Sequence, residues 1–222
     1  MEPVPDGWPP AGAPQTAIAP LFPLPRQWLI PGRVVPLHIF EERYRKMIED
    51  SLDSPGRIVM GTVMEGHEHE LMGSPPCYPV AGIGEIGRHV RLPNGRFNIW
   101  LIGLTRVRMR ETESDAPYRR VEVEQLHEVD ASPQDDADLR ESLTEAVLER
   151  SPGYLNLPDE LPIGRLADIL LVRIDLPADV GNGLFAELDV AARARAALDE
   201  HRRRPIPPPG EEDRQDPFPG LG

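Results

Sequence analysis

Residues 78–110 read YPVAGIGEIGRHVRLPNGRFNIWLIGLTRVRMR. Two long strand-like runs, Tyr78 to Arg91 and Arg96 to Arg110, flank Leu92-Pro93-Asn94-Gly95. Asn-Gly tolerates positive φ at both central positions of a type I′ turn, so the stretch predicts an antiparallel hairpin. In its second arm Arg106, Arg108 and Arg110 alternate with Val107 and Met109, which places three guanidinium groups on one face of a strand.

Other short strands lie around this hairpin. Ile18 to Leu24 and Arg33 to Leu37 are apolar runs punctuated by proline, suited to edge or bulged strands. Arg57 to Val63 is a further run, Glu65 to Pro76 a polar loop, and Tyr118 to Val129 alternates Val121 and Val123 with Glu122 and Glu124. Between the second and third strands, Phe40, Tyr44, Met47, Ile48 and Leu52 recur at helical spacing, and Pro55-Gly56 ends that helix. Six strands with one inserted helix predict a small closed or partly closed sheet over residues 18–131.

Beyond it the period changes. Leu139, Leu143, Ala146 and Val147, then Leu166, Ile169, Leu170 and Ile174, then Leu184, Leu188, Ala191, Arg195 and Leu198 predict three or four helices over 132–204. The class is α+β. Of 27 prolines, 14 fall in residues 1–25 and 205–222. Residues 1–17 and 205–222 are therefore expected to be extended, disordered ends.

Composition excludes several chemistries. The chain carries 24 basic and 37 acidic residues, a net charge of −13, which opposes general binding to nucleic acid or anionic membrane. The acidity is concentrated in residues 111–160, with 4 bases against 15 acids. No apolar run is long enough to span a bilayer, and the acidic, proline-rich start is no signal peptide, so a cytoplasmic location is expected. Cys77 is the single cysteine and Lys46 the single lysine. An internal disulfide and a cysteine-based metal site are thus ruled out, and a serine–lysine hydrolase is left with one helix-borne candidate base. Neither a Gly-Lys-Ser/Thr phosphate loop nor a Gly-x-Ser-x-Gly elbow occurs. His67-Glu68-His69-Glu70 is the only handle for a metal, and a polar loop explains it more simply. Asp135-Asp136-Ala-Asp138 fits a helix start, where carboxylates complement the macrodipole. No cofactor is implied.

The order of segments carries a resemblance. Pro20-Leu-Phe-Pro-Leu-Pro25, Leu29-Ile-Pro-Gly32 and Val35-Pro-Leu-His-Ile-Phe-Glu-Glu-Arg-Tyr-Arg45 closely resemble the opening of the N-terminal substrate-binding domain of Lon proteases. Val80-Ala-Gly-Ile-Gly84, Asn94-Gly-Arg-Phe-Asn-Ile99, Gly103-Leu-Thr-Arg-Val-Arg108, Pro117-Tyr-Arg-Arg-Val-Glu-Val123 and Leu166-Ala-Asp168 are similar to that family's later motifs, in the same order. The resemblance covers about residues 18–203 and implies a PUA-like bent β-barrel followed by a helical bundle. The 222 residues offer no counterpart to the family's ATPase or its catalytic Ser and Lys, so the likeness is to a stand-alone Lon-domain protein. It implies a non-catalytic module that binds unfolded or tagged polypeptides, an adaptor for a separate protease. A monomer or weak homodimer is expected.

The expected surface lies near Leu37 to Phe40 and the first helix. His38, Phe40, Tyr44 and Trp100 are its candidates, with the Arg106, Arg108 and Arg110 row beside them. Phe40 and Tyr44 also fit the helix's apolar stripe, and His38 also fits a buried, loop-ordering imidazole. The alternative function is a PUA-like nucleic-acid module. It requires Arg88, Arg91, Arg96, Arg106, Arg108 and Arg110, a stretch with no acid between Arg88 and Arg110, to form a segregated basic face.

Overall fold

A computed structural model describes residues 16–151, 157–158 and 160–206. The ends expected to be disordered at 1–17 and 205–222 lie almost wholly outside the described residues. The strands are β1 Thr16–Pro25, β2 Val34–Ile39, β3 Arg57–Val63, β4 Val80–Arg91, β5 Phe97–Thr112 and β6 Arg120–Gln125. The helices are α1 Glu42–Leu52, α2 Pro133–Glu149, α3 Ile163–Arg173, α4 Ala178–Ala186 and α5 Val190–Arg203.

β5 organises the sheet. From Phe97 to Arg108 it pairs with β4, its first part also pairs with β2, and from Val107 to its end it pairs with β6. β1 runs parallel to β3 and antiparallel to β6, so pairing passes β1–β3–β4–β5–β6 and back to β1, with β2 outside that circuit. Leu21, Val59, Ala81, Ile83, Val107, Val121 and Val123 form one buried cluster of the strands. α1 covers a second, built on Ile39, Tyr44, Met47, Ile48, Phe97, Ile99 and Leu101. A third joins α2, α3, α4 and α5 and reaches Trp28 and Ile30 of the β1–β2 connection.

The hairpin forms, but its turn is not type I′. Gly95 alone takes positive φ (77°), Gly95 N–H donates to the Leu92 carbonyl (2.9 Å), and Leu92 N–H donates to the Arg96 carbonyl (2.8 Å). Pro93 fixes the first central position of an ordinary type I turn, and Gly95 supplies the left-handed residue that follows. Elsewhere glycine permits a crossing. A Cβ on Gly82 would stand 2.1 Å from the Leu29 carbonyl oxygen, and one on Gly103 2.1 Å from that of Ile30, so the β1–β2 connection lies directly on β4 and β5.

Three expectations are corrected. Residues 118–129 hold a strand only over Arg120–Gln125, with a single bridge at Val129. The last apolar run is two helices: Asp189 caps α5 by accepting from Ala192 N–H (2.9 Å), and Val129 N–H bonds the Leu188 carbonyl (2.9 Å) in the break. Within α5 the buried stripe runs through Val190, Ala191, Arg193, Ala194, Ala197 and Leu198, whereas Arg195 faces outward and pairs with Asp135.

Candidate functional site

The register of β2, β5 and β4 decides which candidates meet. Val35, Leu37 and Ile39 stand opposite Leu101, Ile99 and Phe97 on the inner face. Their neighbours Val34, Pro36 and His38 stand opposite Ile102, Trp100 and Asn98 on the outer face. β4 continues that outer row with Arg88 beside Trp100 and Val90 beside Asn98.

The outer face is aromatic and accessible. Phe40, just past the end of β2, is 56% exposed. Its ring stacks on that of His38, with centroids 6.3 Å apart and planes 23° apart. His38 is exposed rather than buried as a loop-ordering ring, because its strand position points outward. Its Nδ1 donates to the Asn98 amide oxygen (2.7 Å), which leaves Nε2 outward. Trp100 is half-buried, with the Arg88 guanidinium 4.8 Å over its ring. Val34, at 42% exposed, extends the apolar area. Val34, Pro36 and Val90 are further members of this face that the sequence did not single out, and Arg88 belongs to it rather than to a segregated basic face. The signal for them was strand alternation, readable only once the β2–β5 register is known.

Tyr44 does not join this surface. It is 6% exposed and meets Phe22 edge-on at 4.7 Å, and burial pushes its hydroxyl up to about 12. Its place on the inner face of α1 makes it core.

The arginine row is also broken. Arg106, Arg108 and Arg110 share a strand face, but the helices cover its Arg106 end. Arg106 is 1% exposed: Nε donates to the Phe185 carbonyl (2.7 Å), Nη1 to Glu128 (2.7 Å) and Nη2 to Asp168. Arg193 of α5 approaches the same two acids, 2.6 Å from Glu128 and 3.1 Å from Asp168, as ionic contacts rather than aligned hydrogen bonds. Two guanidinium groups and two carboxylates thus balance in the seam between sheet and helices. Arg108 lies 3.5 Å from Glu124, Arg110 stands opposite Glu122, and Arg91 bonds Glu49 (2.9 Å). The basic face that a nucleic-acid module requires is therefore interrupted by carboxylates from neighbouring elements.

His67 and His69 sit on a single exposed turn, with the His67 ring 2.8 Å and the His69 ring 3.6 Å from the same Glu70 oxygen. Among the described residues no group of three or more His, Cys, Asp or Glu is placed to hold a metal ion. No described helix is long and apolar enough to cross a membrane.

These features define, among the described residues, an α+β domain with one mixed sheet and five helices. The chain belongs to the family of the ATP-dependent protease La (LON) substrate-binding domain, whose model matches residues 18–200. The Lon protease of Anaeromyxobacter dehalogenans is 23% identical over 201 residues, covering 85% of this chain and 23% of that protein. The Lon protease of Desulfovibrio desulfuricans is 30% identical over 149 residues, covering 62% and 16%. The chain thus spans about a quarter of the length of the first curated relatives it matches. Its fold is that of the N-terminal domain of Mycobacterium avium complex Lon protease (TM-score 0.62, 18% identity, covering 84% of this chain and 98% of that one). A Lon N-terminal domain protein from Xanthomonas campestris superposes similarly (TM-score 0.61, 20% identity, covering 82% and 98%).

Proposed function

We propose that this chain is a non-catalytic recognition module that binds unfolded or tagged polypeptides on the outer face of β2 and β5. In this reading it serves proteolysis or quality control in the cytoplasm as an adaptor to a separate protease. The architecture proposed is the family's PUA-like bent barrel over 18–131 followed by a helical bundle over 132–204. The observation that carries the reading is Phe40. A large aromatic side chain more than half exposed and stacked on His38, on the face that carries Trp100 and Val34 further along the strands, is the kind of anchor that dominates binding energies. Arg88 and His38, the latter held by the buried Asn98 amide, provide a polar rim to that apolar centre.

A photo-crosslinking pair tests this. Phe40→p-benzoylphenylalanine is expected to capture an unfolded polypeptide, whereas Leu148→p-benzoylphenylalanine, comparably accessible on α2 (47% exposed), is expected not to. Equal capture from both positions would overturn the placement of the surface.

A further inference from the structure

Where the β1–β2 connection faces α3, a cleft of about 590 Å³ opens between Ile30-Pro31-Gly32-Arg33 on one wall and the helix on the other. Arg165, Ile169, Val172 and Arg173 line the helical wall at spacings of 4, 3 and 1, a single face of α3. A second hollow of about 370 Å³ continues from it, sharing Arg33, Val172 and Arg173 and passing Trp28. Together they form an elongated seam between the sheet and the helices, lined by none of the residues named on β2's outer face.

The charges of the seam are unbalanced. Among the described residues Arg33, Arg165 and Arg173 make no ion pair. Arg165 donates to the Pro31 carbonyl and lies over Gly32, and Arg33 donates to the Trp28 carbonyl (3.3 Å). By contrast Arg119 has Glu111, Arg140 has Asp136 and Arg195 has Asp135, and the carboxylate that lines the second hollow, Asp175, is held by Arg26. Burial, and then the nearby Arg173, hold the Arg33 guanidinium below its ordinary range. Three cations gathered in one cleft are an electrostatic cost that a bound anion removes. The surface between them is apolar, contributed by Ile30, Leu161, Ile169 and Val172.

We propose that this seam is a second recognition site, which takes an acidic segment of a polypeptide. A side-chain or terminal carboxylate sits between Arg33 and Arg173, and an adjacent aliphatic or aromatic residue packs on Ile169 and Val172. Guanidinium forks match carboxylates bidentately, and the apolar wall favours a peptide over a bare inorganic anion. The proposal rests on the reading that the chain binds polypeptides, and names the class it prefers.

The test compares two dye-labelled, permanently unfolded peptides on the full chain. One carries two adjacent carboxylates flanked by leucines, and the other carries their amide isosteres. At low salt the acidic peptide is expected to bind about tenfold more tightly, and the advantage is expected to shrink as salt screens it. Arg33→Gln and Arg173→Gln are expected to bring the ratio of the two affinities close to one. Arg173→Gln is expected not to lower Tm, since it removes a repulsion, whereas a merely structural arginine would lower it. An acid preference that survives both substitutions, or no preference at all, overturns the seam while leaving polypeptide binding intact. Displacement by millimolar inorganic phosphate, but not by acetate of equal ionic strength, reassigns it to a phosphate and overturns the peptide. If neither peptide binds, both readings fall.

Discussion

Asp168 shows how one residue couples distant parts of the chain. It is 1% exposed, it faces the guanidinium groups of Arg106 and Arg193, and removing its charge would leave the two to share the single carboxylate of Glu128 in a buried seam. Breaking one partner of such a network typically costs about 3–5 kcal/mol. Asp168→Asn is therefore expected to lower the unfolding free energy by roughly that amount in urea titrations. A loss under about 1 kcal/mol would show that water, not Asp168, satisfies the pair. Sequence showed half of this. Arg106 was visible on the strand alternation, and Asp168 stood among Leu166, Ala167 and Leu170 on a helix face that is otherwise apolar. That they meet was not readable, because 62 residues separate them and the covering of β5 depends on where α3 and α5 settle.

His201 gives a second test at this scale. Arg150 donates from Nε to His201 Nδ1 (2.9 Å) and from Nη2 to the carbonyls of His201 (2.9 Å) and Arg204 (3.0 Å), closing the end of α5. An imidazole that accepts at Nδ1 must stay neutral. Burial first, and Arg150 second, hold its pKa below the ordinary value of about 6.5. The unfolded chain then takes up a proton more readily than the folded one. The stabilisation is complete above about pH 6.5 and is lost as pH falls from there through the lowered folded value. Tm is expected to decline between pH 7 and pH 5.5, and His201→Gln to flatten that decline. An unchanged slope in the variant would assign it elsewhere.

At the scale of elements, the β4–β5 hairpin and its crossing by the β1–β2 connection fix the frame. Gly82→Ala and Gly103→Ala would each push a methyl group onto a carbonyl oxygen, and backbone rather than a pliable side chain must give way. Each is expected to cost about 2 kcal/mol or more and to lower Tm by roughly 4–8 °C in calorimetry. A neutral outcome would show that the connection lifts off easily. The hairpin, α1, β3 and α2 were legible because alternation, a 3.6-residue period and the stop at Pro55-Gly56 are local signals. The break between α4 and α5 was hidden because Leu184, Leu188 and Leu198 keep a helical rhythm through it. Asp189, acting as a cap, was the local clue to a new start. β6 is shorter than the apolar content suggests because Leu126, out of phase with Val121 and Val123, and then Val129 keep the stretch apolar after the ladder with β5 has ended at Gln125.

For the whole molecule, the net charge of −13 and the distribution of ion pairs set what remains free to recognise a partner. More than half of the described arginines meet carboxylates, and the two accessible surfaces proposed for recognition are the aromatic face around Phe40 and the cationic seam beside α3. The family was legible from the ordered motifs alone, whereas the site was only partly so. Phe40, His38 and Trp100 came together, yet Tyr44 turned inward and Arg106 was buried, since a stripe or an alternation gives spacing but not the side that the rest of the chain covers. The central claim is that Phe40's face binds unfolded polypeptide. Fluorescence anisotropy of a labelled, permanently unfolded polypeptide against the full chain tests it most directly, with a labelled folded protein in parallel. The account predicts saturable binding of the unfolded chain alone, weakened at least about tenfold (~1.4 kcal/mol) by Phe40→Ala with Tm unchanged. Equal binding of the folded control, or affinity indifferent to Phe40→Ala, would contradict it.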